Sequence, residues 1–129
     1  MSRIVTKTGS IRYLPTSTTG NSNASISNPA NAYHGCNSGE YSTTSYSQIT
    51  ITRNSTGYVN YVMTPESGSE TLPSDATITS VSGRFVFRTS GNGMSNCSAQ
   101  IYTNTTAKGT STSFSGSSVT VRNISGGTG

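Results

Sequence analysis

Catalysis needs acids, bases and nucleophiles, and this chain of 129 residues has few to offer. Its carboxylates are Glu40, Glu66, Glu70 and Asp75, and its one histidine is His34. Paired carboxylates do the acid–base work of most glycosidases. Glu66 and Glu70 are close in sequence, but they lie in a polar connector where nothing nearby would push one pKa away from the other. A Ser/His/Asp triad would need His34 as base and Asp75 as its orienter. Serines are abundant, yet none sits in a nucleophile-elbow sequence. His34-Gly35-Cys36 sets an imidazole beside a thiol, with no further sign of an activated cysteine. The expectation is a protein that is not an enzyme. Metal chemistry is equally thin. Two cysteines and one histidine fall short of a structural zinc set. Calcium prefers clustered carboxylates, so Asn and backbone carbonyls would supply at best a weak site. No cofactor is expected.

Binding chemistry is better supplied. Tyrosine joins an apolar ring face to a hydroxyl, which suits it to sugars as well as to half-buried sheet faces. Of the seven tyrosines, Tyr33, Tyr41, Tyr58 and Tyr102 are candidate glycan contacts; the competing reading is that they pack on sheets or under loops. Cys36 and Cys97 are the only cysteines. A bond between them would close a long loop and add roughly 4 kcal/mol. The alternative, two free thiols, is what a reducing cytoplasm leaves behind. The sequons at Asn54 and Asn104 are expected by chance in a chain so rich in Asn, Ser and Thr.

Charge excludes more than it suggests. The net charge is +4, and charged residues make up only 9%. Arg3, Lys7, Arg12, Arg53, Arg84, Arg88, Lys108 and Arg122 are scattered, whereas a nucleic-acid footprint clusters its cations on one stripe. No nucleic-acid partner is expected. No apolar run approaches the ~20 residues of a membrane helix, so no membrane insertion is expected either. Met1-Ser2-Arg3-Ile4-Val5 leads straight into a strand-like segment without the apolar stretch of a signal peptide. That start fits a protein made and assembled in a cytoplasm and released by lysis.

The elements that must position these groups are strands. Apolar residues are 29% of the chain, so the core must be thin, and one inward face per strand suits that supply. Low charge with abundant Thr, Tyr, Val and Ile favours ordered strands over disorder. No segment keeps a helical period. Strands are expected at Arg3–Lys7 and Ser10–Leu14, the latter ended by Pro15, and a short one at Ala24–Ser27 within the polar stretch 16–45. Tyr46–Arg53 and Tyr58–Thr64 read as a hairpin about the turn Asn54-Ser55-Thr56-Gly57. Ala76–Thr89 reads as the strongest strand, with Gly83 marking a bulge or a close approach. Val81, Phe85, Phe87 and Ile101 are the expected core, with both Phe rings buried between sheets. Ser90–Asn96 is a turn, and Cys97–Thr103, Thr110–Phe114 and Ser118–Ile124 complete the set. The fold class is all-β: an antiparallel two-sheet sandwich, jelly-roll-like, with little or no helix. Residues 1–15 form an N-terminal strand segment and 16–129 one sandwich domain.

Leu72-Pro73-Ser74-Asp75-Ala76-Thr77-Ile78-Thr79-Ser80-Val81 resembles a turn-and-strand signature of β-sandwich modules in bacteriophage virion proteins and related bacterial surface proteins. Gln100-Ile101-Tyr102 with Thr106-Ala107-Lys108-Gly109-Thr110-Ser111 resembles the hairpin that follows in those modules. Asn31-Ala32-Tyr33, Glu40-Tyr41 and the strand at Tyr58–Met63 also fit, so the resemblance covers residues 28–125. It implies a jelly-roll-like sandwich in the virion, such as a capsid decoration, fibre or tail-associated domain. Its partners would be other virion proteins or copies of itself, with a host-surface glycan as a further one. A carbohydrate-binding module of a phage or bacterial surface protein is the alternative. In such modules a further strand follows the point reached here at Ile124. The expectation is that this strand comes either from a further C-terminal segment of a longer chain, of which this sequence is a fragment, or from a neighbouring subunit through strand addition at an open edge.

Overall fold

A computed structural model describes residues 9–90 and 96–127. The strand expected at Arg3–Lys7 and most of the turn at Ser90–Asn96 lie outside them. The described chain is all-β and antiparallel, with eight strands, one 3₁₀ turn and no α-helix. It divides into two compact units. One comprises residues 9–35 and 44–73; the other comprises 36–43, 74–90 and 96–127.

The first unit is one long, bent ladder. Strand β1 (Tyr13–Gly20) pairs with β4 (Val59–Pro65), and β2 (Ala24–Ser27) pairs with β3 (Gln48–Ile51). The chain therefore runs out along β1 and β2 and returns along β3 and β4. The expected hairpin between Tyr46–Arg53 and Tyr58–Thr64 does not form, because each of those strands pairs with an earlier one. The turn signal at 54–57 is real, with Ser55 N–H donating to the Thr52 carbonyl and Asn54 at φ 59. It bends the returning chain and does not reverse it. Backbone bonds carry the ladder through the bend, from Thr52 N–H to the Asn23 carbonyl and from Asn21 N–H to the Tyr58 carbonyl. Space is tight at Gly57, where a Cβ would lie 2.8 Å from Ile51 Cδ1 and 3.1 Å from the Asn23 carbonyl oxygen. Pro15 does not end its strand. The register slips between Pro15 and Ser17, and a bulge is where a strand tolerates a residue without an N–H.

The second unit is built on a four-stranded sheet in the order β5-β8-β7-β6. Its strands are β5 (Ser82–Phe87), β6 (Cys97–Thr103), β7 (Thr106–Phe114) and β8 (Thr120–Ser125). The sequence places β6 correctly to the residue. The strand expected over Ala76–Thr89 shrinks to six residues, because 76–80 alternate in type but find no ladder partner. β6 and β7 turn tightly at Asn104, whose φ of 55 suits an Asn better than a branched residue. β7 and β8 share one ladder pair, Thr110 with Ser125, and Thr112 Oγ1 donates to the Asn123 carbonyl; on the other side of β7 the β6 register shifts between Ala99 and Ile101. Gly109 permits this, with φ +66 and a carbonyl oxygen of Ser125 where a Cβ would stand. The sheet curls at that point. β8, last in sequence, is interior, and the open edges are β5 and β6.

The curl brings β5 against β6 and β7. Ile101 Cδ1 lies 3.3 Å from where a Cβ on Gly83 would be, so Gly83 marks a close approach by a side chain. Phe85, Phe87 and Phe114 cluster with ring centroids 4.7 to 5.3 Å apart. Phe114 was not among the expected core residues. Both Phe85 and Phe87 remain half-buried, as do Val81 and Ile101, where full burial of the two rings was expected. No hydrophobic side chain among the described residues is buried, and the only buried positions are Gly35 and Gly126. The small apolar supply therefore yields contact clusters and no enclosed core.

Candidate functional site

Three of the acid and base candidates, Glu40, Glu66 and His34, make local contacts. Glu66 forms an ion pair with Arg12, both of them substantially exposed, and Glu70 is exposed. Glu40 accepts from the Asn37 N–H at 2.9 Å within a short turn. His34 Nδ1–H donates to the Gly35 carbonyl at 2.8 Å. Asp75 is exposed and belongs to the other unit from His34. No group of three or more His, Cys, Asp or Glu side chains gathers among the described residues. Cys36 and Cys97 are not joined by a disulfide, and both lie in the second unit. Cys36 Sγ donates to the Arg84 carbonyl at 3.4 Å, and the Arg84 guanidinium donates to Asn37 Oδ1, so the segment 36–43 is fastened to β5.

The tyrosines divide by environment. Tyr33 is half-buried and shares a 2.5 Å hydrogen bond with Thr18 Oγ1. Beside it, burial raises the pKa of Tyr61 above its ordinary 10.0; a hydrogen bond with Ser47 opposes the shift, and Tyr33 adds to it. Tyr33 thus ties the polar segment to β1. Tyr41 is half-buried in the second unit. Tyr58 and Tyr102 are the most exposed, at 57% and 55%. These four candidates fall two to each unit.

A better-formed polar site lies elsewhere. At the open end of the β2–β3 ladder, beyond the pair Ser27 and Gln48, the chain makes a groove of about 340 Å³. Ser27, Asn28, Asn31, Thr44, Ser45, Tyr46 and Gln48 line it. Asn28 takes a left-handed conformation, φ 49, and opens the 3₁₀ turn Pro29–Ala32. Asn31 Nδ2 donates to the Tyr46 carbonyl at 3.2 Å, which ties one wall to the other. Tyr46 is 49% exposed. Sequence reasoning placed Tyr46 at a strand end and missed the groove. Its only signal is amide-rich and hydroxyl-rich runs flanking two paired strands, in a chain where such runs are everywhere.

Apolar surface forms the other candidate. Val62 and Met63 on β4 are about half exposed, as is Tyr13 on β1. Val121 on β8 sits opposite Val86 on the face away from the Phe cluster, and Val119 precedes it, also exposed. Among the described residues no helix is long and apolar enough to cross a membrane. In comparison with known proteins, the chain matches no family model, no curated protein and no solved structure.

Proposed function

We propose that this chain is a non-catalytic assembly domain of a bacteriophage virion, acting through contacts with copies of itself or with other virion proteins. One observation carries the assembly reading: no hydrophobic residue among those described is buried, while Tyr13, Val62, Met63, Val119 and Val121 stand on exposed strand faces or beside them. Apolar area removed from water is worth roughly 25 cal/mol per Å², so a fold that leaves these side chains about half exposed gains stability when a partner covers them. The strand edges favour the same reading. Each strand of the two ribbons has a ladder neighbour on one side only, and β5 and β6 end the larger sheet. Such edges accept strands from other chains. In this reading association completes a two-layer, jelly-roll-like sandwich. The virion setting rests on the sequence resemblance in residues 28–125.

Sedimentation equilibrium of the chain over a range of concentrations tests the assembly reading. A self-associating species that Val62→Asp dissociates is the expected result. A cooperatively unfolding monomer at every concentration, with Val62→Asp as stable as the parent and the protein absent by mass spectrometry from purified particles, refutes it. A second reading, a carbohydrate-binding module, is favoured by the uncharged groove at Tyr46.

A further inference from the structure

We infer, resting on the assembly reading, that two copies of this chain join through β6. Their β6 strands pair antiparallel about a two-fold axis at Gln100, with all of Cys97–Thr103 in the ladder.

The larger sheet ends at β5 and β6, and its two edges differ. β5 is guarded by its own chain. Cys36 Sγ donates to the Arg84 carbonyl and the Arg84 guanidinium donates to Asn37 Oδ1, so the segment 36–43 stands against that strand. Charges and covering segments are the usual means of blunting an edge. β6 has neither: Cys97-Ser98-Ala99-Gln100-Ile101-Tyr102-Thr103 contains no charge and no proline. Among the described residues its backbone makes no hydrogen bond beyond the ladder with β7. In an antiparallel ladder alternate residues turn their N–H and C=O to the same neighbour, so those turned away from β7 are open to a second strand.

A second copy is the strand that fits, because β6 complements its own reverse. Its first three residues, Cys97, Ser98 and Ala99, are small, and its last three, Ile101, Tyr102 and Thr103, are larger. Pairing about Gln100 sets Ile101 against the partner's Ala99, Tyr102 against the partner's Ser98 and Thr103 against the partner's Cys97. Bulk meets space at each of these rungs, on both faces of the sheet. The Tyr102 ring, 55% exposed in the single chain, is then covered in part. At the centre Gln100 meets its own copy. Its Nε2 donates to the Gly109 carbonyl at 3.4 Å, which leaves Oε1 to accept and a second N–H to donate across the axis. Any other two-fold register loses at least two rungs.

The net charge of +4 does not oppose this contact. The only cation on β6 or β7 is Lys108, which lies one strand inward, opposite Ile101. In the pair the two Lys108 residues are three strand spacings apart, at least about 14 Å. That exceeds the screening length of about 8 Å at physiological ionic strength.

A charge swap tests the axis, because only there does a residue oppose itself. The full chain, Gln100→Lys, Gln100→Glu and an equal mixture of the two variants are compared by sedimentation equilibrium. Each variant alone should weaken self-association about tenfold, since like charges then face each other across the rung. The mixture should restore the parental mass, which a variant that fails to fold could not do. A Gln100→Lys chain that associates like the parent would overturn the β6 contact, and the assembly reading would stand if Val62→Asp still dissociated it. A loss in both variants that mixing does not restore would overturn the two-fold register. A parent chain that is monomeric at every concentration would overturn the self-pairing of β6, and with it the part of the assembly reading that concerns copies of this chain.

Discussion

Replacing Phe114 tests how much of this protein's stability is held in three rings. Phe114 meets Phe85 at 5.1 Å in an edge-on arrangement and Phe87 at 4.7 Å, so its removal deletes two of the three ring contacts. Truncating a fully buried Phe to Ala costs about 3–5 kcal/mol. All three rings are half-buried, so roughly half of that is at stake, and Phe114→Ala should cost about 2 kcal/mol. The ring-specific part is isolated by a double-mutant cycle of Phe85→Leu and Phe114→Leu, which keeps apolar bulk and removes the edge-to-face geometry. Its coupling should be about 1 kcal/mol. Urea unfolding at a fixed protein concentration supplies both numbers, provided the slope with denaturant stays constant across the variants. A coupling below about 0.3 kcal/mol would mean that the rings merely share a surface. A single-variant cost above about 4 kcal/mol would mean that they are fully enclosed in the protein as it exists in solution.

Two further outcomes follow from named contacts. Tyr61 is held neutral by burial, so its folded pKa lies above the unfolded 10.0; its contribution to stability is complete below pH 10 and is lost as pH rises through the folded value. Alkaline titration by tyrosinate absorbance should therefore show one late-ionising phenol that disappears in Tyr61→Phe, and its persistence in that variant would assign it elsewhere. Gly109→Ala places a Cβ 2.1 Å from the Ser125 carbonyl oxygen at φ +66, and thermal melts should show a loss above about 2 kcal/mol. Gly39→Ala, at φ +86 with nothing within 4 Å, should lose only about 1 kcal/mol, and equal losses would mean that conformation alone governs both sites.

Strand positions were legible where side-chain alternation and turn chemistry agreed. Ala24–Ser27 and Cys97–Thr103 were readable to the residue, because each alternates between Asn- or Ser-rich turns. Partners were not legible. The Asn54-Ser55-Thr56-Gly57 signal says that the chain bends, and two strands flanking a bend need not pair with each other. Only the whole ladder, with Thr50 opposite Ser25 and Tyr61 opposite Thr18, decides that. Residues 76–80 show the converse: alternation is a condition for a strand, but a ladder needs a second chain segment beside it. Left-handed turns were partly readable, since all four described non-glycine residues at positive φ are asparagines. The groove at Tyr46 was beyond reach. Its amides and hydroxyls are the commonest residues in the chain, and only the pairing of β2 with β3 gathers them.

The nested ladder of the first unit also dictates an order of events in time. Pairing Ile26 with Ile49 first means closing the loop 28–47, an entropic cost of about 2.7 kcal/mol before any constant term. Once that inner rung is made, the bend at 21–23 already lies beside 52–58, and β1 and β4 zip outward with no further long closure. Hairpin formation of this kind runs on a scale of about 1–10 μs. Ile26 and Ile49 then belong to the nucleus, and their truncation slows folding. Val62, on the outer rungs, is made late, and its loss mainly speeds unfolding. Lengthening the loop 28–47 is cheap by the same logic, about 0.6 kcal/mol for each doubling. The closure cost of the inner ladder is therefore insensitive to loop length, although insertions within 36–43 would also disturb the bonds of that segment to Arg84 on β5.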